Sequence, residues 1–201
     1  MSGAGEGNFR ERLRERLLAS AEAIVIAEGL SGLQARRVAQ DADCSIGTVY
    51  NIFGDIDGLI LETNARTLEE LGRLVGAAAR RSTGQSLEGR LTTLAVAYLD
   101  YATANQLRWR AVFEHHLPEG KEFPEEHREN RQRMLALIGA QLEGAIADPS
   151  SRADAANALF SSVHGIVLLS LDGKLAPFDP AQCERQIRFL VSRAVIGIEQ
   201  G

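Results

Sequence analysis

Little in this chain of 201 residues speaks for chemistry that depends on sulfur, a metal ion or a membrane. Only two cysteines occur, Cys44 and Cys183, far apart and outside any CxxC or Cys/His spacing. That excludes a disulfide scaffold and a zinc site of ordinary spacing, and leads us to expect a reduced, cytoplasmic protein. No run reaches the roughly 18 to 20 uncharged apolar residues of a membrane span, so no membrane partner is expected. The opening segment, Met1 to Asn8, has no apolar signal core. Strand signals are nearly absent, as are repeats and low-complexity segments. Basic charge is scarce too. The net charge is −5, and the first 60 residues carry six Arg against nine Asp or Glu. Nucleic-acid binding through bulk charge is therefore unattractive, and the placement of individual cations has to decide.

What the chain does contain is helical punctuation. Hydrophobic residues make up 45% and charged residues 24%, ordinary values for a globular protein long enough for one small and one larger domain. Periodicity and caps predict an all-α fold of nine helices, at about 9–28, 34–41, 45–53, 55–81, 86–103, 105–117, 125–147, 151–171 and 179–199. Gly29 ends the first, whose stripe is Leu13, Leu17, Ala21, Ile24 and Val25. Asp55, Ser86 and Asn105 suit N-caps, Asp148-Pro149 suits a helix end, and Asp179-Pro180 reads as a cap followed by proline at the first helical position.

Residues 45–53, Ser-Ile-Gly-Thr-Val-Tyr-Asn-Ile-Phe, are the most informative segment. Ile46, Val49 and Phe53 recur at i, i+3 and i+7 and form an apolar seam. The opposite face presents Gly47, Thr48, Tyr50 and Asn51, groups that suit hydrogen bonds to phosphates and base edges in a major groove. Ser45 supplies the N-cap. The preceding helix, Gln34 to Asp41, is joined to it by Ala42-Asp43-Cys44, which makes a helix-turn-helix at 34–53. Arg10, Arg12, Arg14 and Arg16 crowd the start of the first helix, and Arg36 and Arg37 sit on the second. Both groups flank the reading helix in this architecture. The alternative is that these arginines pair with Glu11, Glu15 and Glu22 on a solvated face.

Residues 10–61 resemble the DNA-binding domain of the TetR (tetracycline repressor-like) family of bacterial transcriptional regulators. The resemblance is carried by the long first helix ending at Gly29, Arg37-Val38-Ala39, Ser45-x-Gly-Thr-Val-Tyr50-x-x-Phe53 and Asp55-x-Asp57-Gly-Leu59-Ile60. Three positions depart from the family pattern. Asp43 stands where the turn usually has Gly, Ile56 where a phosphate-contacting Lys is usual, and Leu33-Gln34 where a hydroxyl usually caps the second helix. The resemblance implies a DNA-binding domain at 1–54 and an effector-binding, dimerising domain at 55–201. It also implies a homodimer that binds a palindromic operator on double-stranded DNA as a repressor and answers to a small molecule. No enzymatic activity and no cofactor are expected.

In the larger domain, Tyr98, Tyr101, Trp109, Phe113 and His116 collect around the fifth to seventh helices, and Phe160 and His164 lie on the eighth. They are the expected wall of a site for a largely apolar effector, aromatic bodies with a few polar tips. A terminal helix pair has one interior side, so surplus apolar positions on the last two helices imply a second burial site. Phe160, Val163, Val167, Ile187, Val191 and Val195 are the expected homodimer interface, in a two-fold four-helix bundle. Other chemistry finds little support. Glu114-His115-His116 with His127 could suggest a metal, but adjacent helical residues point about 100° apart and cannot share one ion. Ser161, Ser162 and His164 lack a strand-to-helix nucleophile turn. Cys44 reads as a small buried hydrophobe rather than a thiol sensor. The rival reading is a helical small-molecule binder or enzyme that has lost DNA binding, for which Ile56 and the acidic N-terminal domain speak.

Overall fold

Helix caps, more than propensity, set where the elements begin and end in the computed structural model, which describes residues 3–174 and 176–200. Nine α-helices and no strand occur among them: α1 Gly3–Glu28, α2 Ala35–Asp41, α3 Ile46–Phe53, α4 Ile56–Arg81, α5 Leu87–Ala104, α6 Gln106–Glu114, α7 Glu125–Leu142, α8 Pro149–Leu171 and α9 Pro180–Gln200. The all-α expectation holds. A 3-10 turn, Leu30–Gly32, follows α1 and has no counterpart in the sequence reading. Gly29 at φ 73° and Gly54 at φ 82° take left-handed conformations where α1 and α3 stop. Asp43, the departure from the usual turn glycine, adopts φ 50°, which a short polar side chain tolerates.

Two boundaries differ from expectation. Asp148-Pro149 opens α8 instead of closing α7: the Asp148 carboxylate accepts from Ser151 N at 2.8 Å, and Pro149 sits at the first helical position, where its missing N–H costs nothing. α7 accordingly stops at Leu142. Asn105 precedes α6 without a side-chain cap bond. By length and composition α8 is apolar enough to cross a membrane, a property the sequence reading did not find. Its Leu159, Val163 and Val167 are nevertheless buried in the protein's own core.

Packing divides the chain into two units. The first holds residues up to Leu68 together with 105–127; the second holds 69–104 and the chain from Arg128 onward. Within the first unit, polar bonds join α4 to α6 and to α1. Asn64 Nδ2 donates to the Ala111 carbonyl at 2.9 Å, and Arg108 Nε reaches Thr67 Oγ1 at 3.3 Å. Arg66 donates to Glu22 at 3.0 Å and to both oxygens of Glu15 at 2.6 Å. Around them Leu17, Ala21, Val38, Val49 and Leu59 are fully or almost fully excluded from water. In the second unit α5, α8 and α9 pack on one another. Their shared core includes Leu94, Val167, Ile187 and Val191.

Candidate functional sites

The segment 45–53 forms a short helix anchored on one side and open on the other. Val49 and Phe53 are buried, as the apolar period requires. Ile46 is not: it is 38% exposed, so the seam is two residues wide and Ile46 joins the outward face with Gly47, Tyr50 and Asn51. The reason is the helix's length of eight residues, which leaves its first turn beyond the core it rests on. Ser45 Oγ accepts from Thr48 N at 3.2 Å and lies 2.9 Å from Thr48 Oγ1, which satisfies an otherwise orphaned donor of the first turn. Thr48 is thus half-buried and held by the cap, while Tyr50 remains 44% exposed.

The flanking arginines divide by task. Arg10 Nη2 donates to the Asn51 carbonyl at 3.3 Å, and Arg16 to the Ala42 carbonyl at the end of α2. Arg14 stacks its guanidinium 5.3 Å from the centre of the Phe53 ring and pairs with Glu62. Arg37 pairs with Glu28 at 2.7 Å. Three of these cations therefore position α2 and α3, placing positive charge against helix C-terminal carbonyls or an aromatic face. Among the described residues, Arg12 and Arg36 are exposed with no hydrogen bond or ion pair. The alternative pairing of these arginines with Glu15 and Glu22 does not occur, since both go to Arg66 of α4, 51 and 44 positions away. No local pattern announces that pairing.

Where α4 begins, Asp55 Oδ1 accepts from Gly58 N at 2.9 Å, and Lys121 bridges Asp55 and Asp57, with 3.0 Å to the latter. Lys121 holds the Asp55 carboxyl below its usual range. His115 Nε2 lies 3.5 Å from Asp57, and burial holds its pKa down. His116 is exposed and bonds the Glu114 carbonyl at 2.7 Å, while His127 stacks on Phe123 with ring centres 4.9 Å apart. The three histidines thus take separate partners.

The second unit contains a small apolar cavity of about 50 Å³, lined by Leu91, Leu94, Met134, Phe160 and Val163 among others. Of the expected effector residues, Tyr98 and Phe160 line it, their rings meeting edge-on at 5.7 Å and 78°. His164 stands behind them, its Nδ1 2.7 Å from the Tyr98 hydroxyl, and burial pushes its pKa below the ordinary value, towards the neutral ring. Tyr101, Trp109, Phe113 and His116 are not among the described residues of this wall. Tyr101 is buried with its hydroxyl 3.4 Å from Glu70, and Trp109, 1% exposed, packs on Phe113 at 5.5 Å in the first unit. The aliphatic wall went unread because leucine and methionine at helical spacing look the same in a core and around a cavity.

The expected interface residues lie mostly inside the single chain. Val163, Val167, Ile187, Val191 and Val195 are buried within the single chain, and Phe160 lines the cavity. The five buried residues lie in the core that α5, α8 and α9 share. The apolar side chains left outside on these helices are Leu169, Phe189 and Ile196, at 42%, 69% and 37% exposure.

A small anchored helix with an open polar face, reached by a tight turn from a second short helix in an all-helical chain, is a helix-turn-helix. Residues 91–194 match the family model described as the tetracyclin repressor-like C-terminal domain. The chain belongs to this family and is a TetR-family transcriptional regulator. It is 29% identical over 176 residues to the HTH-type transcriptional regulator BetI of Burkholderia thailandensis, covering 85% of this chain and 87% of that one. Its fold is shared with a protein of unknown function from a Rhodococcus species, at a TM-score of 0.72 and 22% identity over 90% of this chain and 94% of that one. The same holds for the multidrug binding protein EbrR complexed with imidazole, with a TM-score of 0.64 and 24% identity over 90% and 93%.

Proposed function

We propose that this regulator is a ligand-responsive repressor that binds a palindromic operator as a homodimer. The observation that carries the reading is α3: Val49 and Phe53 hold it down while Ile46, Gly47, Tyr50 and Asn51 face outward from an N-capped helix. In each subunit this face enters a major groove, with Tyr50 and Asn51 at base edges and Thr48 and Ser45 towards the backbone. Arg12 and Arg36 contact phosphates, and Arg10, Arg16 and Arg37 hold the helices that present them. The exposed apolar side of α8 and α9 meets its copy across a two-fold axis. A largely apolar effector occupies the cavity beside Tyr98 and His164 and lowers operator affinity. The name of EbrR as a multidrug binding protein supports a small-molecule site in this fold. The protein works in the cytoplasm, where its DNA is.

Selection from a random duplex library with the purified protein should enrich an inverted repeat. Tyr50→Ala should weaken binding to it by about 1–3 kcal/mol. A library from which no duplex is enriched refutes the regulator reading and favours a helical small-molecule binder.

A further inference from the structure

The outward face of α3 is divided into two strips. Residues four apart share a helix face, which sets Ile46 beside Tyr50 and Gly47 beside Asn51. The first strip holds the two exposed large apolar side chains of α3, Ile46 at 38% and Tyr50 at 44% exposure. Val49 and Phe53 already anchor the helix, so Ile46 at its first position is left free of the core. Resting on the operator-binding reading above, we infer that Ile46 reads the 5-methyl group of a pyrimidine at one base pair of each half-site. Thymine and 5-methylcytosine then bind tightly at that position, and uracil and cytosine weakly.

The methyl group follows from what the first turn has to read with. The N-terminal residues of a reading helix are the ones that meet base edges. Here Gly47 has no side chain, and a Cβ built on it would meet only Ser45 Oγ, at 3.6 Å, so the backbone is open to close approach. Ser45 Oγ accepts from Thr48 N at 3.2 Å and lies 2.9 Å from Thr48 Oγ1, so the two hydroxyls already bond each other and the cap. That leaves the hydrocarbon of Ile46. The ring nitrogens, carbonyl oxygens and amino groups of the major groove would lose water against it without gaining a partner. The 5-methyl group needs no partner, and packing it on Ile46 removes apolar surface from water on both sides. Such a contact recognises the methyl group and not the rest of the thymine, so a methylated cytosine qualifies as well. The competing arrangement packs Ile46 on a backbone sugar, where base methylation makes no difference.

The full-length protein is titrated by fluorescence anisotropy against the inverted repeat enriched from the random library. Each thymine is replaced by uracil in turn, in both half-sites at once, which removes the methyl group and keeps the base pair. At one position uracil should weaken binding about fifteenfold, roughly fourfold for one buried carbon in each half-site. Ile46→Ala should bind the thymine duplex about as weakly as the unaltered protein binds the uracil duplex. It should lose less than about twofold when that thymine becomes uracil, whereas Ile46→Val, which keeps the branch, should retain most of the discrimination. A C·G pair at the position should bind weakly, and 5-methylcytosine should recover at least about fivefold of the loss. A repeat whose thymines all become uracil without loss overturns the inference, as does a cytosine that gains nothing on methylation. An Ile46→Ala protein that keeps the full uracil penalty also overturns it, since the methyl group would then be read by another side chain. The duplex comparisons use the unaltered protein and decide the matter even where a variant fails to fold. Each of these failures leaves the operator reading standing, whereas a library that enriches no duplex refutes that reading and this inference together.

Discussion

The surface of the last two helices makes a sharp test of the proposed dimer, because core and outward residues alternate within a few positions. Phe189 is 69% exposed, while Val191, two positions on, is 1% exposed. Fully burying a phenylalanine is worth about 1.5–3 kcal/mol, and roughly two-thirds of that remains to be gained when a partner covers Phe189. A two-fold interface counts each residue twice, so the two rings contribute about 2–4 kcal/mol. Phe189→Glu removes this and adds two carboxylates that must be desolvated for association, a further cost of several kcal/mol. Together these should raise the dimer dissociation constant by at least about a thousandfold. The same change should leave the stability of the single chain within about 0.5 kcal/mol, as for other surface substitutions. Val191→Glu should behave in the opposite way, unfolding the chain by placing a carboxylate among Ile187, Val167 and their neighbours. Sedimentation equilibrium across a concentration series reads the first effect, and urea denaturation reads the second. A Phe189→Glu protein that sediments as an unaltered dimer, or that loses as much stability as Val191→Glu, refutes the assignment of this face.

Further outcomes concern the reading head and the caps. With Arg12 and Arg36 as the exposed cations of each head that have no protein partner and Arg10 close by, operator binding should depend only modestly on salt, with a log–log slope of about −4 to −5 for two heads. A slope near −10, measured by fluorescence anisotropy, would mean that the Arg14 and Arg37 ion pairs open to reach phosphate. Ser45→Ala should cost about 1 kcal/mol in urea denaturation through the lost cap, and Ser45→Thr should restore most of it. The Asp148 carboxyl is lowered from 3.8 to about 2 by bonds from Ser150 and Ser151. Its folded pKa lies below its unfolded one, so its contribution is complete above about pH 4 and lost as pH falls towards 2. Asp148→Ala should therefore destabilise the protein at pH 6 and make progressively less difference as pH falls through 2. Asn64→Leu should destabilise the first unit, since the Ala111 carbonyl would lose its buried donor, at about 1–3 kcal/mol by the same denaturation measurement.

The elements that the sequence determined by itself are those written in local chemistry. A serine cap, a glycine at a helix end, an aspartate before a proline and a repeat of 3.6 residues act within one or two turns. The helical order, the position of α3 and its outward Gly47, Tyr50 and Asn51 were all legible for that reason. Even there, periodicity gave Ile46 to the core, although it lies one turn beyond it. Everything that depends on which surface meets which was decided by tertiary structure. Glu15 and Glu22 had arginines nearby in sequence but pair with Arg66, because α4 runs against that face of α1. Val163, Val167, Ile187, Val191 and Val195 showed a real apolar stripe, but a stripe carries no label for its partner. In the folded chain α5, α8 and α9 bury it against one another, which leaves Phe189 and Leu169 outside. The cavity wall is the same case, since aliphatic side chains become a site only where packing fails to close over them. Local signals are read within a few residues, whereas burial is shared among helices far apart in the chain.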